Sequence, residues 1–231
     1  MPIGLDQLAV TFAPPMVMLA RVIAIGVGLG LWYLTQAWLA KRTPKCPTDG
    51  GLIFDGIHHL TRLYNQRLLN HSRKANALLI SSSLVIDLLG GYVLISAIVG
   101  PTIQPFIGLL IIFALRQLCQ AFCPLPPPAG MIWRDPGFPT VLVTYGTSND
   151  LFFSGHTALA VYGATVLATA LGPWGILLGV LIAFFEITVV LVLRAHYTMD
   201  VFAGAVTALY VHTLAWKIAP AVDHWIIHLV S

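Results

Sequence analysis

Two short stretches hold residues suited to nucleophilic and acid–base chemistry: "SGHT" at 154–157 and "RAHYTMD" at 194–200. In the second, His196 and Asp200 stand at i and i+4, a spacing that turns both to one side of a helix. A carboxylate bonded to one imidazole nitrogen fixes the tautomer and stabilises the imidazolium. The other nitrogen is then left to attack or to take a proton. Arg194 adds a fixed positive charge. In the first stretch, Ser154 is suited to cap a helix, and Gly155 lets backbone come close to a ligand. A helix N-terminus favours an anion, and His156 placed there can protonate an oxygen of that anion.

The chain around these residues is 58% hydrophobic and only 9% charged over 231 residues. A soluble domain carries about 25% charged residues, so the composition indicates an integral membrane protein. The net charge of +3 is too small and too local for nucleic-acid binding. Crossing a bilayer takes roughly 17 to 25 apolar residues. Six runs qualify, near 16–40, 76–99, 102–122, 154–172, 174–193 and 198–218. No strand-type alternation points to a membrane barrel. The expected fold class is all-α: a single polytopic membrane domain, 1–231, with six transmembrane helices. The first run is too long for a signal-peptide core and reads as a retained anchor.

Two spans separate the motifs. An even number of crossings returns the chain to the same face, so His156 and His196 should meet at one membrane surface. The segment 123–153 holds six prolines and reads as a stiffened cap above them. In 41–75, Ile53, Ile57, Leu60, Tyr64 and Leu68 recur at helical spacing. This predicts an amphipathic helix, lying in the membrane interface or packed on the end of the bundle.

Arg21, Asp87 and Glu186 fall inside spans, where ionisable groups are costly. Arg21 lies near an end and is read as snorkelling. Asp87 and Glu186 are read as packing partners in preference to a substrate route, and His212, His224 and His228 as hydrogen-bonded interior groups. Cys46, Cys119 and Cys123 form no framework and are read as packing residues. Two histidines and a carboxylate (His156, His196, Asp200) can bind iron. Nothing else in the chain supports a metal, and no metal or cofactor is assigned.

With SGHT and HYTMD in place, the chain resembles the lipid phosphate phosphatase (type 2 phosphatidic acid phosphatase) superfamily. That family has six spans, with SGH opening the fourth and His-x-x-x-Asp opening the sixth. The resemblance implies that His196 is the nucleophile, that Asp200 orients it, and that His156 is the general acid. Ordinary members carry a Lys-x6-Arg-Pro motif and an arginine six residues before the nucleophile. Here the motif is missing and position 190 is Val. Instead Arg116 begins "RQLCQAFCPLPPP". This is similar to the sphingomyelin synthases and the plant phosphatidylcholine:diacylglycerol cholinephosphotransferases, over roughly residues 52–212. Ser148-Asn149-Asp150 stands in part for the Cys-Gly-Asp of the synthases, and Arg194-Ala195-His196 is closer to the plant pattern.

The resemblance implies substrate contacts from Arg116, Arg194, Arg134, Ser154, Gly155, Asp150 and Tyr197. A phosphomonoester carries nearly two charges and wants several cations. A chain lacking two of the superfamily's cationic positions fits a singly charged diester better. The implied function is transfer of a phospho-alcohol headgroup, such as phosphocholine, from a phospholipid donor to a lipid alcohol of the diacylglycerol or ceramide type, through a phosphohistidine. The alternatives are a lipid phosphatase or phospholipase C-like hydrolase, and, in another class, a non-catalytic lipid transporter or scaffold. Trp133, Phe138 and Tyr145 could box a choline, but are read first as interface anchors.

A bacterial inner membrane or an ER/Golgi-type membrane would suit such a chain. Ten of the twelve Lys and Arg lie on the face that carries the motifs. The positive-inside rule puts that face in the cytoplasm, whereas the resemblance implies an external or luminal site.

Overall fold

A computed structural model describes residues 12–41, 53–123, 125–145 and 151–230. Cys46, Ser148 and Asp150 lie outside them. The helices are α1 (Pro15–Ala40), α2 (Gly56–Leu60), α3 (Arg62–Leu69), α4 (Ser72–Val99), α5 (Gln104–Phe122), α6 (Gly155–Leu171), α7 (Pro173–Val192) and α8 (Thr198–Val230). No strand occurs among the described residues. Prolines open α1 and α7, where the missing N–H would be unpaired anyway.

Five helices (α1, α4, α5, α7 and α8) are long and apolar enough to cross a membrane. The sixth expected span, α6, has 17 residues. At 1.5 Å per residue it rises about 26 Å, slightly less than the ~30 Å hydrocarbon core. It is the central helix, in contact with α4, α5, α7 and α8. Buried side chains of α4, α5, α6 and α8 form one core: Ile86 and Val93, Leu109 and Ile112, Leu159 and Tyr162, Ala208 and Val211. Small residues let the backbones approach, as membrane helices require. A Cβ on Gly179 of α7 would stand 2.6 Å from that of Ala164 on α6. One on Gly204 of α8 would stand 2.7 Å from the carbonyl oxygen of Ser154. Leu34, Leu181 and Leu209 point outward and exposed, as a lipid-facing surface would have them.

Several expectations are corrected. The last helix does not stop near 218 but runs through Pro220 to Val230, because Ala219 and Ile226 still pack inward. The interfacial helix is broken in two at Thr61, whose hydroxyl donates back to the Ile57 carbonyl at 2.8 Å. Its apolar stripe faces outward at Ile53, Phe54, Leu60 and Tyr64, while His58, Asn65 and Leu68 turn inward. Arg21 does not snorkel. It is 2% exposed and pairs with Asp223 of α8 at 2.7 Å. Its guanidinium also donates to the carbonyl of Gly100 at 2.7 Å, and Asp223 accepts from the N–H of Ile103 at 3.1 Å. The pair thereby satisfies the end of α4 and the start of α5, tying four helices together at the face opposite the motifs.

Asp87 pairs with backbone, accepting the N–H groups of Val141 and Leu142 at 2.9 and 2.8 Å. Tyr33 of α1 donates to the carbonyl of Val141, and Leu142 rests against Gly90 of α4. The cap is therefore drawn down into the bundle. Glu186, fully buried, takes the hydroxyl of Ser82 at 2.6 Å and joins α7 to α4. Trp133 and Tyr145 also point inward, against their reading as interface anchors. They pack together at 4.9 Å, and Tyr145 shares a hydrogen bond with Ser83 at 2.5 Å.

Candidate active site

The turn between α7 and α8 presents His196. Arg194 takes a left-handed conformation (φ +53°), uncommon for a residue with a side chain. The N–H of Ala195 bonds back to Val190 at 2.9 Å. His196 thus precedes α8 and does not share a helix face with Asp200, as its spacing had suggested. Its Nδ1 lies 2.8 Å from the carbonyl of Leu151. A carbonyl can only accept, so Nδ1 carries the proton and Nε2 carries the lone pair. Asp200 stands 3.8 Å from Nδ1, beyond hydrogen-bond range, and accepts the N–H of Tyr197 at 2.9 Å. It closes half a capping box and acts on His196 through charge alone.

His156 is the second residue of α6. Ser154 caps that helix, accepting the N–H of Thr157 at 3.3 Å. The N–H of Ser154 in turn bonds to the carbonyl of Asp200 at 3.1 Å, which fixes the starts of α6 and α8 against each other. The Nε2 of His156 is buried with no hydrogen-bond partner. Trp133 meets its ring edge-on at 5.1 Å.

Both histidines line one cavity. Trp32 of α1, Ile86 of α4, and Phe113 and Arg116 of α5 form one side. Met131, Trp133, Leu142 and Thr144 of the cap form another. Leu151, Gly155, Leu159 and Ala195 complete it. Gly155 is needed here: a Cβ would come 2.8 Å from Nε of Arg116. That nitrogen donates to the carbonyl of Phe153 at 3.2 Å, which orients the guanidinium.

The other residues expected to touch substrate are placed elsewhere. Arg134 is exposed and donates to Asn76 at 2.7 Å. Arg194 turns to the carbonyls of Ala129 and His58. Tyr197 donates to the carbonyl of Pro126 at 3.1 Å. Ser154 is fully buried, its side chain spent on capping α6. Asp150 lies outside the described residues. Among the described residues, Arg116 is then the one arginine lining the cavity.

Sequence reasoning missed a second layer of support. The ring of His58 donates from Nε2 to the carbonyl of His196 itself at 3.0 Å. Asp55 caps α2 and also receives the N–H and hydroxyl of Thr198, both at 2.7 Å. Asn65 donates to Gly130 and Val192 at 3.1 and 3.0 Å. Helices α2 and α3 thus grip the loop that carries His196 and the cap together. Burial pushes His58 below the usual imidazole value, with Asp55 in partial opposition. Burial also pushes Asp55 up, but the hydrogen bonds from Thr198 and His58 outweigh it and hold the carboxyl low. The Asp-Gly dipeptide at 55–56 signals a turn or a helix start, yet nothing local names its distant partners.

Fold and cavity together define a polytopic membrane protein whose two histidines meet at one end of its helix bundle, under a cap drawn in from above. The sequence model of the AtPDCT1/2 family, phosphatidylcholine:diacylglycerol cholinephosphotransferases, matches residues 54–217, and the chain belongs to that family. No curated protein and no solved structure gives a significant match.

Proposed function

We propose that the protein moves phosphocholine from phosphatidylcholine to a lipid alcohol of the diacylglycerol type. The observation that carries this reading is the convergence of His156, His196 and Arg116 on one cavity in a chain of this family. Nε2 of His196 attacks the donor's phosphorus. The bond from phosphorus to the glycerol oxygen breaks, and His156 in its protonated form gives that oxygen a proton. Diacylglycerol leaves, and phosphocholine stays on His196 as a phosphohistidine. The now neutral His156 takes the hydroxyl proton of a second diacylglycerol, whose oxygen attacks phosphorus. The P–N bond breaks, and a new phosphatidylcholine departs. One diester is consumed and one formed, so no external energy source is required. Splitting the exchange into two displacements lowers each barrier.

Transfer is favoured over hydrolysis by the cavity's lining. Ile86, Phe113, Leu142, Leu151 and Leu159 disfavour water, and one arginine matches the single charge of a diester. The test is incubation of protein in lipid nanodiscs with choline-labelled phosphatidylcholine and a diacylglycerol of different chain length. Label on the new lipid supports transfer; label released as water-soluble phosphocholine defeats it. His196→Ala should reduce transfer to background, and His156→Ala should cost about 10²- to 10⁴-fold. Ceramide offered in place of diacylglycerol reads the acceptor.

A further inference from the structure

We infer that Trp32 and Trp133 form the headgroup-selectivity site, receiving the trimethylammonium of the donor's phosphocholine; this rests on the transferase reading above. A quaternary ammonium has no N–H to donate. It is recognised by carboxylates or by aromatic faces, tryptophan best of all. The described lining of the cavity contains two histidines and an arginine but no carboxylate. Its electron-rich surfaces are Trp32, Trp133 and Phe113.

Their placement matches the length of the headgroup. Phe113 and Arg116 are three apart on α5, so they share a face and are separated by about one turn, ~5 Å. Trp32 stacks on Phe113 at 4.8 Å and 19°. A phosphate held by Arg116 and the two histidines would extend its ethylene arm toward that stack. Trp133 stands against His156 on the cap side. The turn of α1 that carries Trp32 is fixed at this level, since its carbonyl accepts from Gln117 of α5 at 3.1 Å. Trp32 is 5% exposed, so the ring belongs to the interior and not to the lipid surface. It also lies before residue 54, outside the segment that matches the family. Selectivity therefore draws on a helix that the match does not cover.

The experiment compares phosphatidylcholine and phosphatidylethanolamine donors of identical chains, using the full chain in nanodiscs with diacylglycerol as acceptor. Trp32→Leu and Trp133→Leu should each lower the phosphatidylcholine-to-phosphatidylethanolamine ratio of kcat/KM by about threefold to thirtyfold. Trp32→Phe, which keeps a weaker π face, should fall between wild type and Trp32→Leu and guards against a variant that misfolds. A ratio unchanged in all three variants overturns the proposal and assigns the rings to the acyl or glycerol path. Donor binding to a His196→Ala background, measured by native mass spectrometry, separates the two readings. A wild type that transfers nothing, with a choline-lipid preference that still depends on Trp32, defeats the transfer reading and leaves this site standing. A choline-lipid preference that none of the variants alters, in a protein that still transfers, defeats this site and leaves the transfer reading standing.

Discussion

At His196 the proton sits on the nitrogen facing the carbonyl of Leu151, and this sets the expected rank of substitutions. Asp200→Asn keeps an oxygen for the N–H of Tyr197 and removes only the charge 3.8 Å from the ring. Because the carbonyl still holds the tautomer, the fall in kcat should be well short of the ~10⁴-fold loss seen when such a change flips the ring. Single-turnover transfer by Asp200→Asn, measured beside His196→Ala, checks this. A loss equal to that of His196→Ala would mean that Asp200 holds the ring after all. Gly155→Ala tests the other wall. Its methyl group would press on Arg116, so binding of the diester should weaken, raising KM more than it lowers kcat. Both histidines are legible in the sequence, because their motifs are local and parity alone brings them to one face. Of the three arginines expected there, Arg116 lines the cavity and the other two do not. Arg134 and Arg194 have the right charge and the right segment, but their partners, Asn76, Ala129 and His58, are chosen by tertiary structure.

Among the elements, the broken pair α2–α3 shows why pattern reading stops where it does. The periodicity of Ile53, Leu60 and Tyr64 reveals an amphipathic helix. It says nothing of an inner face whose partners lie 138 and 143 positions away. That face makes stability depend on pH. His58 is held below its ordinary value by burial, opposed by Asp55 and Asp200 and reinforced by Arg194. The unfolded chain takes up a proton near pH ~6.5, while the folded one resists until lower pH. Stability is then full above about pH 6.5 and falls as acidification proceeds below it. Thermal unfolding in nanodiscs at a series of mildly acidic pH values should show this slope. His58→Gln, which keeps a donor for the carbonyl of His196, should flatten it. Asp55→Ala should cost about 0.5–2 kcal/mol through the lost cap of α2, and more where Thr198 is released.

Across the whole molecule, two fixed points hold the bundle. On the motif side, α8 passes so close to Ser154 that Gly204→Ala should separate α6 from α8. It should destabilise the fold by about 1–3 kcal/mol and widen the gap between the histidines. On the far side, Asp223→Ala strands the buried Arg21 and should cost about 3–5 kcal/mol. Denaturation monitored by near-UV dichroism would separate the two, since only the first should also alter the rate per folded molecule. Five of the six apolar runs are legible as span-length helices, and the sixth, α6, is a shorter apolar helix. The reach of α8 to Val230 is not, because polar residues after 216 mask inward packing at Ala219 and Ile226. The helix that grips the backbone of His196 lies outside the bundle and shows its apolar side, Phe54, Leu60 and Tyr64, to the surroundings. A detergent that strips lipid from that side would release the grip while Arg21, Asp223 and the central core remain intact. Purified protein should therefore fall silent in harsh micelles long before its helices melt, and recover when bilayer lipid is returned.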